Sequence, residues 1–131
     1  MVWWWMVSEK TIRKWVEIVN KEYGLSDKNE QSVAWFMQLR GVAKFIGTKE
    51  YYFVGLPTKD MWGKQGFAIL SSYVLPEYRT AKYILKLQRH IISVAKECNS
   101  CYIIQGSHLG DKYFKFLNGI GYKVCEMRKE I

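Results

Sequence analysis

The most informative stretch of the sequence is the turn that leads from an apolar, β-branched segment into a helix-forming segment. Pro76 interrupts the apolar run, and Arg79 and Lys82 follow where helical periodicity begins. The first amides of a helix have no partner within it, and the helix dipole makes this end positive, so such a turn can bind phosphate through its backbone. The spacing therefore predicts an anion site supplemented by Arg79 and Lys82. The alternative interpretation is the solvated start of an amphipathic helix.

His108 is a second candidate for chemistry, because it follows the short apolar run from Cys101 to Ile104. An unperturbed histidine pKa of about 6.5 suits proton transfer near neutral pH, which makes His108 a candidate general base. A lone histidine after a strand is more often a surface or capping residue, so both interpretations stay open.

The cysteines predict neither a metal site nor a disulfide. Cys98 and Cys101 have the spacing of half a zinc site, but a closed site needs four ligands, and only Cys125, His90 and His108 remain to complete it. Three cysteines in a chain of this size indicate reduced thiols.

Composition restricts the class of protein. The 131 residues are 49% hydrophobic and 24% charged, which predicts one globular domain over residues 1–131. The formal charge of +8 favours phosphate-bearing or otherwise acidic partners. No segment approaches the roughly 20 apolar residues that cross a bilayer, so we expect a cytoplasmic protein without membrane contact.

The first half of the chain predicts two helices followed by three strands. Ser8 caps a helix that ends at Gly24, and a capping box at Asp27 to Glu30 starts a second helix that ends before Gly41. Apolar segments rich in β-branched and aromatic residues then predict consecutive antiparallel strands, with an exposed loop or hairpin tip from Thr58 to Gly66. The three strands are Val42 to Ile46, Tyr51 to Leu56 and Phe67 to Leu75.

The second half predicts a helical crossover between parallel strands. The helix after Pro76 has apolar residues on one face, namely Ala81, Ile84, Leu85, Ile91, Ile92 and Ala95. The next apolar run, Cys101 to Ile104, is typical of a buried parallel strand, and a strand, helix, strand order favours a right-handed crossover. A helix from about Gly110 to Asn118 and a strand from Tyr122 to Met127 complete the order. The fold class is therefore α/β (α+β), with a mixed central sheet, antiparallel N-terminal strands and helices on both faces.

Two motifs resemble the GCN5-related N-acetyltransferases, the GNAT family. The stretch Val74-Leu75-Pro76-Glu77-Tyr78-Arg79 resembles the start of the family motif Val-x-Pro-x-x-Arg/Gln-x-x-Gly-x-Gly/Ala. The stretch from Tyr113 to Tyr122 is similar to the closing motif, in which a helix precedes a glycine and an aromatic residue. Both stretches lie at the expected places in the order of elements.

The resemblance implies transfer of an acetyl group from acetyl-coenzyme A to a primary amine of a small molecule or a protein. It also implies that a backbone amide holds the developing oxyanion, with His108 as the candidate base and Tyr113 as the candidate acid. The pantetheine arm would run along Tyr73, Val74 and Leu75. The pyrophosphate would bind at the turn formed by Arg79, Thr80, Ala81, Lys82, Tyr83 and Ile84.

Departures from the family pattern lead to the first of two alternative hypotheses. Lys82 and Ile84 stand where the family has two glycines, and Leu117 stands where many members have the acid tyrosine. The first alternative is a catalytically inactive GNAT-like binding protein, similar to compact phage-encoded members that are located in the host cytoplasm or packaged in the virion.

The second alternative is a basic nucleic-acid-binding protein. The run Trp3-Trp4-Trp5 could form an extra edge strand, and consecutive strand residues alternate faces, so at least one of these rings should face outward. Aromatic rings beside basic residues hold single-stranded nucleic acid, whereas a second helix, or a homodimer or protein partner, covering the tryptophans is the simpler interpretation. The basic helix face consists of Lys82, Lys86, Arg89 and Lys96.

Overall fold

The computed structural model describes residues 7–105, 115 and 117–123 of the chain. Residues 7–105 form three helices and four strands, with short 3-10 turns at Ser26–Lys28 and Pro76–Tyr78. In chain order the elements are α1 (Glu9–Glu22), α2 (Asn29–Gln38), β1 (Lys44–Gly47), β2 (Tyr51–Lys59), β3 (Gln65–Val74), α3 (Ala81–Glu97) and β4 (Tyr102–Gln105).

The strands form one mixed sheet in the order β1-β2-β3-β4. The β1/β2 and β2/β3 pairs are antiparallel, and β3 pairs with β4 in parallel from Gly66↔Tyr102 to Ile69↔Gln105. Helix α3 connects the two parallel strands. The predicted fold class, antiparallel N-terminal strands followed by a parallel pair around a crossover helix, is confirmed.

Helices cover both faces of the sheet. Successive residues of β2 point to opposite sides, so this strand contributes apolar side chains to both faces. Tyr52 packs with Trp15 of α1 and Phe36 of α2 on one face. Phe53 packs with Ile91 of α3 on the other. Each fully buried aromatic or aliphatic side chain contributes about 1.5–3 kcal/mol, so the two clusters fix the sheet between its helices.

Gly55 makes room for a large side chain from the neighbouring strand. A Cβ at this position would lie 2.1 Å from Cζ of Phe67 on the neighbouring strand. Phe67 is fully buried and cannot move aside into solvent. The missing side chain of Gly55 therefore creates the space in which the Phe67 ring lies.

The hairpin between β2 and β3 is tighter than the sequence predicts. The predicted loop from Thr58 to Gly66 is wrong at both ends, because β2 continues to Lys59 and β3 begins at Gln65. The Asp60 carboxylate accepts hydrogen bonds from the backbone amides of residues 62 and 64, at 3.0 and 2.9 Å. These bonds close the turn within residues 60–64 and leave the rest to pair.

Two predictions about helices are also wrong. Asp27 does not cap α2, since it lies inside the preceding 3-10 turn and α2 begins without a side-chain cap. Ala81 and Ile92 are exposed rather than buried on α3. The buried face of α3 is rotated from the predicted one and consists of Leu87, Gln88, Ile91, Val94 and Ala95.

Several predicted features lie outside the described residues: the Trp3 to Trp5 run, most of the helix from Gly110, and residues 124–127 of the last strand. Within the described ranges, no helix has the length and apolar character needed to cross a bilayer.

Candidate functional site

The candidate site begins in the last part of β3, where the described residues give pairing with β2 only. The described ladder between β3 and β4 ends at Ile69 and Gln105, whereas β3 stays paired with β2 as far as Val74. Along this last part of β3, no described strand lies on the β4 side. An unpaired strand edge offers backbone N–H and C=O groups to an extended ligand.

A β-bulge lies at the start of this edge. Ser71 is opposite Val54 and Ile69 is opposite Gly55, so Leu70 has no pairing residue on β2. A bulge bends its strand and increases the local twist. The packing shows the resulting change of face, because Ile69 and Val74 both pack on the α3 side of the sheet. The bulge thus redirects β3 just beyond the last described pair with β4.

The turn after β3 leads directly into the N-terminus of α3. Within the turn, the amide of Tyr78 donates to the carbonyl of Leu75 at 2.9 Å. The next helical bond runs from the Ile84 amide to the Thr80 carbonyl, at 3.0 Å. The first turn of α3 has no side-chain cap and no acidic residue. The amides of residues 81–83 are therefore the unpaired amides of a helix N-terminus, and they can bind an anion.

The side chains that replace the family's glycines lie in different surroundings. Ile84 packs against the core on the α3 side of the sheet. Lys82 is exposed, and the Tyr83 ring packs edge-on against Tyr78, with 4.9 Å between ring centres. Thr80 is also exposed. The backbone at the start of α3 therefore remains accessible despite the larger side chains.

Arg79 is bound to other groups of the protein rather than pointing to solvent. Its two terminal nitrogens contact both carboxylate oxygens of Glu22, each at 2.8 Å, in the bidentate geometry that suits a guanidinium. Its Nε donates to the Val74 carbonyl at 2.9 Å, and its guanidinium carbon lies 5.1 Å from the Tyr73 ring centre. Arg79 thus connects the turn to the end of α1 and to β3.

The electrostatics of this cluster keep Glu22 ionised and Tyr73 protonated near neutral pH. The hydrogen bond from Arg79 holds the pKa of the Glu22 carboxyl below its usual value. Burial raises the pKa of the Tyr73 hydroxyl to about 12. The charge of Arg79 is therefore compensated within the protein.

Sequence reasoning missed Glu22. It lies 57 positions before Arg79, so no local spacing connects the two residues. The only signal was an acidic residue close to Gly24, the predicted end of the first helix, and that position alone does not indicate a partner.

The structure brings together the predicted binding residues of β3 and the turn. Tyr73 and Val74 are buried at the end of β3 on opposite faces of the sheet, and Leu75 is half-buried at the start of the turn. The two predicted catalytic residues, His108 and Tyr113, lie outside the described residues. In the part of the chain that the structure describes, no group of three or more His, Cys, Asp or Glu residues could hold a metal ion.

Several solved structures of similar fold are named as acetyltransferases. A Trypanosoma brucei acetyltransferase superposes with a TM-score of 0.70 at 13% identity, over 95% of this chain and 94% of its own. The ribosomal-protein-alanine N-acetyltransferase of Brucella melitensis biovar Abortus 2308 has a TM-score of 0.68 at 10% identity, over 95% of both chains. A predicted acetyltransferase with acetyl-CoA from Clostridium acetobutylicum has a TM-score of 0.67 at 17% identity, over 95% of this chain and 92% of its own.

No protein-family model matches the sequence, and no curated protein matches it significantly. The structural likenesses together with the topology establish that this chain has the GNAT-like fold.

Proposed function

We propose that the protein is an acetyl-coenzyme A-dependent N-acetyltransferase that acts on a primary amine of a small molecule or a protein. The observation that carries the proposal is the junction of three features at one end of the sheet. The edge of β3 beyond Ile69, the turn at Pro76–Tyr78 and the uncapped start of α3 follow one another along the chain. This junction has the groups that an acyl-coenzyme A needs, a strand edge for the amide-containing arm and helix amides for the pyrophosphate.

Binding would rest mainly on the backbone. The amides of the pantetheine arm would pair with the edge of β3 near Tyr73, Val74 and Leu75. The pyrophosphate would lie on the amides of residues 81–83, where the absence of a side-chain cap leaves room for it. This mode of binding requires little of side-chain identity, which is consistent with a site that lacks the family's glycines.

The chemistry is a direct acyl transfer. The amine nitrogen attacks the thioester carbonyl carbon and forms a C–N bond, and the carbonyl oxygen becomes an oxyanion. The C–S bond then breaks, and coenzyme A leaves as a thiolate that takes up a proton. A backbone amide at the bulge near Leu70 would stabilise the oxyanion. His108 would accept the proton of the amine, and Tyr113 would protonate the thiolate.

One observation favours the second candidate, a catalytically inactive GNAT-like binding protein. The side chain of Arg79, the one charged residue of the matching motif that could reach a phosphate, is bonded to Glu22. A phosphate that recruited Arg79 would have to share the guanidinium with this carboxylate.

Activity assays separate the two candidates. The full chain is incubated with acetyl-coenzyme A and a panel of primary amines, including peptides with free N-termini, and the released thiol is measured. We expect thiol release that depends on an amine, and a fall in kcat of about 10²-fold or more for His108→Ala with unchanged acetyl-coenzyme A affinity. Binding of acetyl-coenzyme A without acetylation of any amine would favour the inactive binding protein.

A further inference from the structure

A lysine patch lies on the exposed side of the first two turns of α3, separate from Arg79 and its partner Glu22. It consists of Lys82, Tyr83 and Lys86. The ammonium of Lys82 lies 5.5 Å from the centre of the Tyr83 ring, and that of Lys86 lies 6.0 Å from the same centre. Residues 82 and 86 are neighbours on a helix surface, so the two charges flank one aromatic ring.

The balance of charge makes this patch the main positive group near the start of α3. Glu22 compensates Arg79 on the α1 side. Lys86 contacts the buried carboxylate of Glu50 at 3.1 Å, yet about half of its side chain remains exposed. Among the described residues, Lys82 forms no ion pair. The protein therefore offers phosphate an uncompensated cation at Lys82, and beside it the half-exposed ammonium of Lys86, which Glu50 holds in place.

We infer that the lysine patch binds the 3'-phosphate of coenzyme A. The inference rests on the proposed function and names the part of the ligand that these side chains recognise. Coenzyme A carries a pyrophosphate and, on its ribose, a separate phosphomonoester dianion. With the pyrophosphate on the amides of residues 81–83, the phosphomonoester has to lie close to the first turns of the helix. One helical turn spans about 5.4 Å, which places the ammonium groups of residues 82 and 86 within reach.

The test compares two ligands that differ only in this phosphate, coenzyme A and 3'-dephospho-coenzyme A. Their dissociation constants are measured by calorimetry for the wild-type chain, Lys82→Ala and Lys86→Gln at 0.15 M salt, where long-range charge effects are screened. Glutamine at position 86 keeps an N–H donor for Glu50. The matched control is Lys96→Ala, which removes one exposed positive charge from the last turn of the same helix.

We expect the wild-type chain and the Lys96→Ala control to bind coenzyme A about tenfold more tightly than the dephospho form, a ratio equivalent to about 1.4 kcal/mol. The Lys82→Ala and Lys86→Gln variants should reduce this ratio to about twofold, because each weakens the binding of coenzyme A more than the binding of the dephospho form. Equal binding of both ligands by the wild-type chain would overturn the inference and leave the proposed function intact. Binding of neither ligand would overturn both.

Discussion

Replacing Glu22 with glutamine tests whether the turn before α3 is held to α1. Glutamine has nearly the same volume and keeps one acceptor oxygen, so the change removes the charge and little packing. Because both ends of the Arg79 guanidinium bond to the carboxylate, Glu22→Gln should destabilise the fold at neutral pH.

The magnitude follows from how exposed the pair is. The Arg79 and Glu22 side chains are 34% and 25% exposed. Fully exposed ion pairs contribute about 0–1 kcal/mol, and hydrogen bonds to charged groups in buried sites about 1.5–3 kcal/mol. Because the pair is partly exposed, we expect it to contribute about 1 kcal/mol to stability. Losing this contribution corresponds to a fall of about 4 °C in Tm for a domain of this size.

The stabilisation that Glu22 provides should depend on pH. The pKa of Glu22 in the folded protein lies below its usual value of 4.5 because of Arg79. Its contribution is therefore fully present above about pH 4.5 and is lost as pH falls through the folded-state pKa. Thermal unfolding of wild-type and Glu22→Gln chains should show a constant gap from pH 5 to 8 that closes in stronger acid.

The control is Glu30→Gln, which removes the carboxylate of a more exposed ion pair with Arg13. This variant should leave Tm unchanged at pH 7, because an exposed pair is screened by solvent. The reasoning is refuted if Glu22→Gln also leaves Tm unchanged at pH 7, or if its destabilisation persists undiminished at pH 3.

Three further predictions concern the sheet and its hairpin. Gly55→Ala should lower the free energy of unfolding, measured by urea denaturation, by about 2 kcal/mol or more, because the new Cβ would overlap the buried Phe67 ring. A decrease below about 0.5 kcal/mol would contradict this packing. The Nδ1 of His90 lies 2.6 Å from the Tyr51 hydroxyl, and burial lowers the pKa of this histidine. Its NMR titration midpoint should therefore fall below 6.5, and its protonation should weaken the fold in acid. A midpoint above 6.5 would disprove this prediction. Asp60→Ala removes the acceptor of two turn amides, so trypsin should cut the hairpin faster, and an unchanged cleavage rate would exclude this role of the carboxylate.

The turn into α3 could be predicted from the sequence because its signals are local. Pro76 follows an apolar strand and precedes a helical periodicity, and these features together specify a strand, a turn and a helix start. The same kind of signal predicted the order of strands and helices that the sheet confirms.

The features that sequence reasoning missed depend on residues distant in the chain. Glu22 meets Arg79 only because the fold brings the end of α1 beside the end of β3. The bulge at Leu70 is specified by pairing between two strands and has no signature within β3 alone. The tight turn of the hairpin does have a local signature, since Asp60 followed by Gly63 is a recognisable turn pattern.

Calorimetric titration of the full chain with acetyl-coenzyme A tests the central claim most directly. We expect saturable binding at one site per chain, and saturation at about 100 times the dissociation constant should stabilise the fold by about 2.7 kcal/mol, raising Tm by several degrees. No heat of binding at millimolar ligand, together with an unchanged Tm, would contradict the proposal that the junction of β3, its turn and α3 is an acyl-coenzyme A site.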